Sequence, residues 1–419
     1  MKHANSEQLL KDHADYILPV INFEKPILER GKGSYVYDVD GNKIMDLNGG
    51  QFCNILGHSN PKFVEMMSTI TNSISHTSTS TLTTQVLAVM KKINGIMPEM
   101  NAKNILLATG AEAVEFALRY SKHITQKNGV VSFSVGYHGL TLGAQTVTYA
   151  GVHAKPWVKE AYSIETPKNL NGNDDYSQPI KKLAALCSEN EIACVILEPI
   201  VSVGGMYVQT KEFLEQVKVI CEENNVILIY DECQTGFGRT GKWFGYQSVC
   251  VTPHIMVTAK GFGLGYPISM VSVDSKYVDG CPPLVHFSSH QNDPFSAMVV
   301  DFGIEYIIEN NLLTNVELNG KYFYEKLDEL HENNDHFSKP RGKGLMLGCD
   351  LQIEGVSDYR KISADFREYL LLEHNLMIQA TNGGRTLRFL PSFEISKEEI
   401  DKVVFMLDLA SREFLRVRK

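Results

Sequence analysis

ACVILEPIVSVGGMYVQTKEFLEQVKVICEENNVILIY, residues 193–230, begins and ends on a short apolar run. Between the runs, Phe213, Val217 and Ile220 recur at helical spacing on one face. Strand, helix and strand in this order make a parallel pair joined by a crossover. The alternation extends in both directions. Upstream, Asn104–Ala108 and Val130–Phe133 flank a helix whose Ala113, Phe116, Ala117, Tyr120 and Ile124 share a face; downstream lies Ile255–Thr258. The pattern predicts an α/β fold: a mostly parallel central sheet with helices on both faces.

Further out the character changes. GSYVYDVDGNKIMDL, residues 33–47, turns at Asp40-Gly41 and predicts a small hairpin, followed by helices near 61–74 and 82–97. A long helical stretch over roughly 294–334 leads into Gly344–Leu351, a helix near 361–374 and two short strands. The chain closes on a helix announced by the capping-box pair Ser396 and Glu399, with Ile400, Val403, Val404 and Leu407 on its buried face. The expected division is 1–47 as an N-terminal segment joining a small domain, 48–305 as a large ligand-binding domain, and 306–419 as a small C-terminal α+β domain.

Composition narrows the function. The 419 residues are 43% apolar and 21% charged, which excludes a mainly disordered chain. A net charge of −9, with no block of Lys or Arg, argues against nucleic acid as a partner. No apolar run is long enough to predict a membrane-spanning helix. Lys11, Asp12 and Asp15 interrupt the N-terminus, which lacks the apolar centre of a secretory signal. The eight cysteines are scattered without a CxxC pair, so reduced thiols, no metal site and a cytoplasmic location are expected.

One glycine run misleads. Gly236-Phe237-Gly238-Arg239-Thr240-Gly241 matches the dinucleotide fingerprint, but the polar residues 231–234 separate it from the strand before it. Lys242-Trp243-Phe244-Gly245 is a poor helix start, and Trp243 stands where a P-loop needs Ser or Thr for magnesium. A Gly-rich turn is the better reading, which disfavours an NAD-dependent oxidoreductase.

Four features at the expected strand ends belong together, because ligands bind there in α/β sheets. Thr109-Gly110-Ala111-Glu112 opens a helix, where free N–H groups and the helix dipole suit a phosphate. Tyr137-His138-Gly139 offers an aromatic that can lie flat on a ring. Asp231-Glu232-Cys233-Gln234 places a carboxylate at the mouth of a buried strand, where it needs a cationic partner. Thr258-Ala259-Lys260-Gly261 places a lysine where burial disfavours the free ammonium and a Schiff base relieves it. Taken singly, each has an ordinary structural explanation. Jointly they describe a phosphate, a flat ring, a basic ring nitrogen and an aldehyde, which is pyridoxal phosphate.

TGAEAVEFALRYS, YHG, EPI, DECQTGFGRTGKWF and TAKGFGLGYPISM resemble, in order and spacing, the class III pyridoxal-phosphate-dependent aminotransferases. The likeness runs from about Gly33 to the C-terminus. It implies fold type I and a homodimer with active sites at the interface, working by ping-pong exchange between an amino acid and a 2-oxo acid. Lys260 then resembles the Schiff-base lysine and proton carrier, Asp231 the partner of the pyridine nitrogen, and Gln234 the residue bonded to the ring hydroxyl. Tyr137, beside His138, would stack on one ring face, and Cys233 would pack the other. Gly110 and Ala111 would hold the phosphate with a hydroxyl from the neighbouring subunit, where Ser289 stands in place of the family's Thr. Arg388 matches the arginine that binds the substrate α-carboxylate, and Glu198 a family carboxylate near the site.

Two positions bear on the substrate. Family members acting on ω-amines often carry a Glu where this chain has Val203, masking the arginine between half-reactions. Gly49-Gly50-Gln51 and residues 289–294, SHQNDP, are similar to 2,2-dialkylglycine decarboxylase. There, a Gln51-like amide would hold a carboxylate perpendicular to the cofactor plane, so that carbon dioxide leaves. The decarboxylase differs in having Trp at Tyr137, Met at Phe52 and Ser at Val203. Its alkali-cation sites suggest Asp293 and Thr79 as oxygen ligands here. Plain α-transamination and racemisation stay open, as does decarboxylation-dependent transamination.

Overall fold

The computed structural model describes residues 4–70, 72–149, 160–168, 175–279, 281 and 284–416. Its central sheet has seven strands, in spatial order Ala102–Leu107, Ser269–Asp274, Ile255–Thr258, Ile227–Asp231, Ile192–Leu197, Gly129–Phe133 and Ala161–Ile164. Every neighbouring pair is parallel except the two made by Ser269–Asp274. Ile192–Leu197 and Ile227–Asp231 are buried along their whole length, as strands covered on both faces are.

Two of the seven strands escaped the sequence reading. Ser269–Asp274 is buried, yet Ser269 and Ser272 dilute its apolar signal. Ala161–Ile164 has only four residues and lies at the sheet edge. The long helical stretch is likewise two helices, Pro294–Glu309 and Leu312–Asn333. Asn311 divides them by adopting a left-handed φ of 51°, which Asn tolerates through local hydrogen bonding.

Outside the central sheet, Leu376–Met377 pairs in parallel with Lys43–Asp46, joining the N-terminal hairpin to a C-terminal segment in one sheet. A second four-stranded sheet, all antiparallel, holds Arg341–Lys343, Met346–Asp350, Thr386–Phe389 and Gln379–Thr381. The last helix, Lys397–Arg416, is capped reciprocally: Ser396 N donates to Glu399 Oε2 at 3.1 Å, and Glu399 N to Ser396 Oγ at 3.2 Å. Among the described residues, no helix is long and apolar enough to cross a membrane.

The misleading glycine run is a packing device. Gly238 and Gly241 have φ of 98° and 84°, and a Cβ on Gly238 would meet Phe393 at 2.8 Å. Arg239, between them, is buried; its Nη1 donates to the carbonyls of Leu345 at 3.2 Å and Pro391 at 2.5 Å. The turn therefore ties the large sheet to the C-terminal region instead of heading a nucleotide-binding helix. Glu232 belongs to the same structure. Fully buried, it accepts the N–H groups of Gly245 and Tyr246 at 2.6 and 2.7 Å.

Candidate active site

Asp231 is the last residue of its strand and is buried at 5% exposure. Its Oδ2 accepts from His138 Nδ1 at 2.8 Å, and its Oδ1 from Cys233 N at 3.0 Å. Burial alone would raise this carboxyl. The His138 contact, helped by Cys233 and the charge of Lys260, outweighs burial and holds it below its ordinary value. Asp231 is therefore a buried, ionised carboxylate at a sheet mouth. His138 is itself held by its backbone N–H, which donates to Thr148 Oγ1 at 2.8 Å.

Glu198 directly follows the neighbouring strand Ile192–Leu197 and behaves in the opposite sense. Its Oε1 accepts from Tyr137 N at 3.0 Å and its Oε2 from Ser202 N at 3.3 Å. Burial pushes its carboxyl up to about 7 from 4.5, against the pull of His138 and with Asp231 adding to the rise. The folded state thus holds this proton more tightly than the unfolded chain. Glu198 contributes stability below about pH 4.5 that is lost as pH rises through about 7. Between pH 5 and pH 8, the cofactor-free wild type should lose about 2–3 kcal/mol more unfolding free energy than Glu198→Gln. Urea denaturation of both proteins at the two pH values checks this, and parallel losses would refute it.

Lys260 follows the strand Ile255–Thr258 after one extended residue, Ala259. Its φ of 50° is uncommon for a residue other than Gly, Asn or Asp. The side chain is half-buried and makes no hydrogen bond or ion pair among the described residues. Its charge favours the ionised forms of Asp231, Cys233 and Cys53.

Two glycines let the loops converge. Gly110 starts the sixteen-residue helix Gly110–Thr125, whose cap Thr109 Oγ1 accepts from Glu112 N at 3.2 Å. A Cβ on Gly110 would lie 3.0 Å from Cys233 Sγ and 3.1 Å from Ala259 Cβ; one on Gly139 would lie 2.7 Å from Ala111 Cβ. The helix start, the Tyr137–Gly139 turn and the ends of two central strands therefore enclose one space. The Gly110 and Ala111 N–H groups open that helix, where its dipole favours an anion.

Arg388 arrives from the second sheet, buried at 6% exposure. Nη1 donates to Ser202 Oγ at 3.0 Å and Nη2 to Gln379 Oε1 at 2.7 Å, while Ser202 Oγ donates to Gln234 Oε1 at 2.8 Å. Nε is buried and has no hydrogen-bond partner among the described residues, and the guanidinium sits 4.7 Å from the centroid of the Phe52 ring. Burial lowers Arg388 to about 10, opposed by the charge of Glu198. A buried cation held only by neutral oxygens is prepared for an arriving carboxylate. Sequence reading missed Ser202 and Gln379. Only the position of Ser202 inside EPIVSVGG pointed toward it.

Three expected participants stand apart from this cluster. Ser289 is exposed on a loop at the edge strand, where Asn292 N donates to Leu106 O at 3.0 Å. Gln51 is exposed with φ 59°, but its side chain shares a cavity of about 930 Å³ with Gln379, the partner of Arg388. Asp293 bonds to two histidines and two backbone N–H groups, a nitrogen-rich setting that suits an alkali cation poorly.

Residues 22–410 match the family model for class III aminotransferases. This chain belongs to that family. Curated relatives include acetylornithine aminotransferases of Caldanaerobacter subterraneus, 31% identical, and of Vibrio cholerae, 29% identical. Each alignment covers 94% of this chain and 96% of the relative. Among solved structures, a transaminase from the marine bacterium Virgibacillus superposes with a TM-score of 0.91 at 22% identity, over 98% of this chain and 99% of that one. A Bacillus anthracis aminotransferase gives 0.89 at 22% identity, over 99% and 100%. This class III aminotransferase has fold type I, transfers amino groups and depends on pyridoxal phosphate. Its own residues fit that group: a helix N-terminus at Gly110 held close to Cys233 and Ala259, an ionised buried Asp231, and a Lys260 side chain without a hydrogen bond or ion pair among the described residues.

Proposed function

We propose that this aminotransferase moves the amino group between α-amino acids and 2-oxo acids, with Arg388 holding the α-carboxylate in both half-reactions. The observation that carries this reading is the Arg388 guanidinium, hydrogen-bonded among the described residues only to the neutral Ser202 and Gln379, with Val203 offering no carboxylate to mask it. Two parallel N–H···O bonds would fix the substrate in register.

Pyridoxal phosphate supplies an aldehyde for the amine and a cationic ring that draws electrons from the substrate Cα. Lys260 would hold the aldehyde and would carry a proton to and from the substrate Cα. Asp231, kept in place by His138, would pair with the pyridine nitrogen. Gln234 has its oxygen engaged by Ser202, which leaves its amide N–H as the donor it would offer the ring hydroxyl. Gly110 and Ala111 hold the phosphate. Tyr137, fixed at its backbone by Glu198, would cover one ring face and Cys233 the other. The enzyme acts as a cytoplasmic homodimer in which Ser289 reaches the phosphate of the neighbouring subunit. Residues 48–305 carry the cofactor, and 1–47 with 306–419 form the smaller unit.

A second reading, decarboxylation-dependent transamination, is favoured by one observation: Gln51 and Gln379 line the same cavity. One experiment separates the two. The visible spectrum of the holoprotein is followed with L-alanine, L-glutamate, 2-aminoisobutyrate and α-N-acetylornithine, while carbon dioxide is monitored. Conversion by L-alanine or L-glutamate without gas supports α-transamination. Gas release with 2-aminoisobutyrate moves the assignment to the decarboxylating branch. The acetylornithine aminotransferases among its relatives make acetylornithine a further candidate, and conversion by α-N-acetylornithine alone, which presents only a distal amine, would overturn the proposal.

A further inference from the structure

We infer that His76, His290 and Asp293 form a binding site for a divalent transition-metal ion of zinc type. The three ligand atoms lie within 4.8 Å of one another. Asp293 divides its two oxygens between tasks. Oδ1 caps the helix Pro294–Glu309, accepting the N–H groups of Phe295 at 2.8 Å and Ser296 at 3.3 Å. Oδ2 turns to the imidazoles, 2.6 Å from His76 Nδ1 and 3.4 Å from His290 Nδ1. The two rings stand 4.8 Å apart, inclined at 44°.

Two imidazole nitrogens and one carboxylate oxygen make the donor set of zinc sites that keep a fourth position open. Bonds of about 2.0–2.2 Å at tetrahedral angles place ligand atoms about 3.3–3.5 Å from one another. The His290–Asp293 separation is already in that range. His76 has to retreat from Asp293 by less than about 1 Å, and the two imidazole nitrogens, within 4.8 Å of one another, have to close to about 3.4 Å; both side chains, 46% and 67% exposed, have room to move. The N–H bonds to Oδ1 orient the carboxylate, as outer-shell partners do at metal sites. Nitrogen donors on two of three corners select against alkali and alkaline-earth ions, which take oxygen. The helix N-terminus opposes any cation, but the full charge of Asp293 exceeds that partial charge.

Metal here would tie His76 to the segment that carries Ser289. If Ser289 reaches a neighbouring phosphate as proposed above, zinc would slow loss of the cofactor; binding itself does not depend on that role.

The test is equilibrium dialysis of chelator-treated holoprotein against zinc, with metal counted by elemental analysis. Wild type should retain one zinc per chain, and His76→Ala/His290→Ala none. Asp293→Asn, which preserves a good helix cap, should bind at least about tenfold more weakly, since a neutral amide replaces the anionic ligand. Equal zinc on wild type and the double histidine variant would place the metal elsewhere, the exposed thiols of Cys250 and Cys281 included, and overturn the proposal. Absence of zinc from wild type would overturn it as well.

Discussion

Lys260→Ala is expected to lower kcat by at least about 10⁴-fold, the upper range for a positioned proton-transfer group, and to abolish the long-wavelength absorbance of the protein with pyridoxal phosphate. The amine has no competing partner among the described residues, so no other contact dilutes its role. Its charge favours the ionised forms of Asp231 and Cys233. The substitution costs little stability, because Ala at φ 50° is no more strained than Lys. A melting temperature close to wild type would separate lost chemistry from lost fold. Lys260→Arg keeps the charge but cannot release its proton near neutrality, so it should be as inactive as the Ala variant. An Ala variant that keeps the absorbance and turns over within tenfold of wild type would refute the assignment of Lys260.

Asp231→Asn should lower kcat by roughly 10²- to 10⁴-fold with a smaller effect on KM. Removing one member of a buried charge pair costs about 3–5 kcal/mol, and about 1.4 kcal/mol is tenfold in rate. Asn preserves the shape and can still accept from Cys233 N, so the change reports charge rather than packing. Because the contact with His138 holds the Asp231 carboxyl below its ordinary range, wild-type kcat should show no acidic limb from Asp231 above about pH 4. Steady-state kinetics across pH on both proteins decide the matter. An Asn variant within threefold of wild type would show that the carboxylate does not face a charge that matters.

The two residues with the largest expected effects were also the most legible in the sequence. Asp231 directly follows the apolar run Val226–Tyr230, and Lys260 stands two residues beyond Ile255–Thr258. A strand end is a local property, so a short window suffices to place a polar residue there. Gly110 was legible in the same way, at the junction of a strand and a helix. Ser202 was not. It matters through Arg388, 186 residues away, and Gln234, 32 residues away, and no periodicity encodes such a meeting. The glycine run at 236–241 shows the converse: its motif suggested a nucleotide, while its φ values and the burial of Arg239 make it a joint.

By itself, the sequence determined the parallel α/β core, the family likeness and the chemistry at the strand ends, because each is written in contiguous residues. Only the tertiary structure decided that His138 holds Asp231 across 93 residues, that Arg388 meets Ser202 and Gln379, and that His76 faces Asp293 across 217. It also decided that Ser269–Asp274 enters the sheet antiparallel. Those contacts arise where separate segments pack together, and burial then sets the charge of each carboxylate. Asp231 is held low by an imidazole, and Glu198, one strand away, is held high by desolvation.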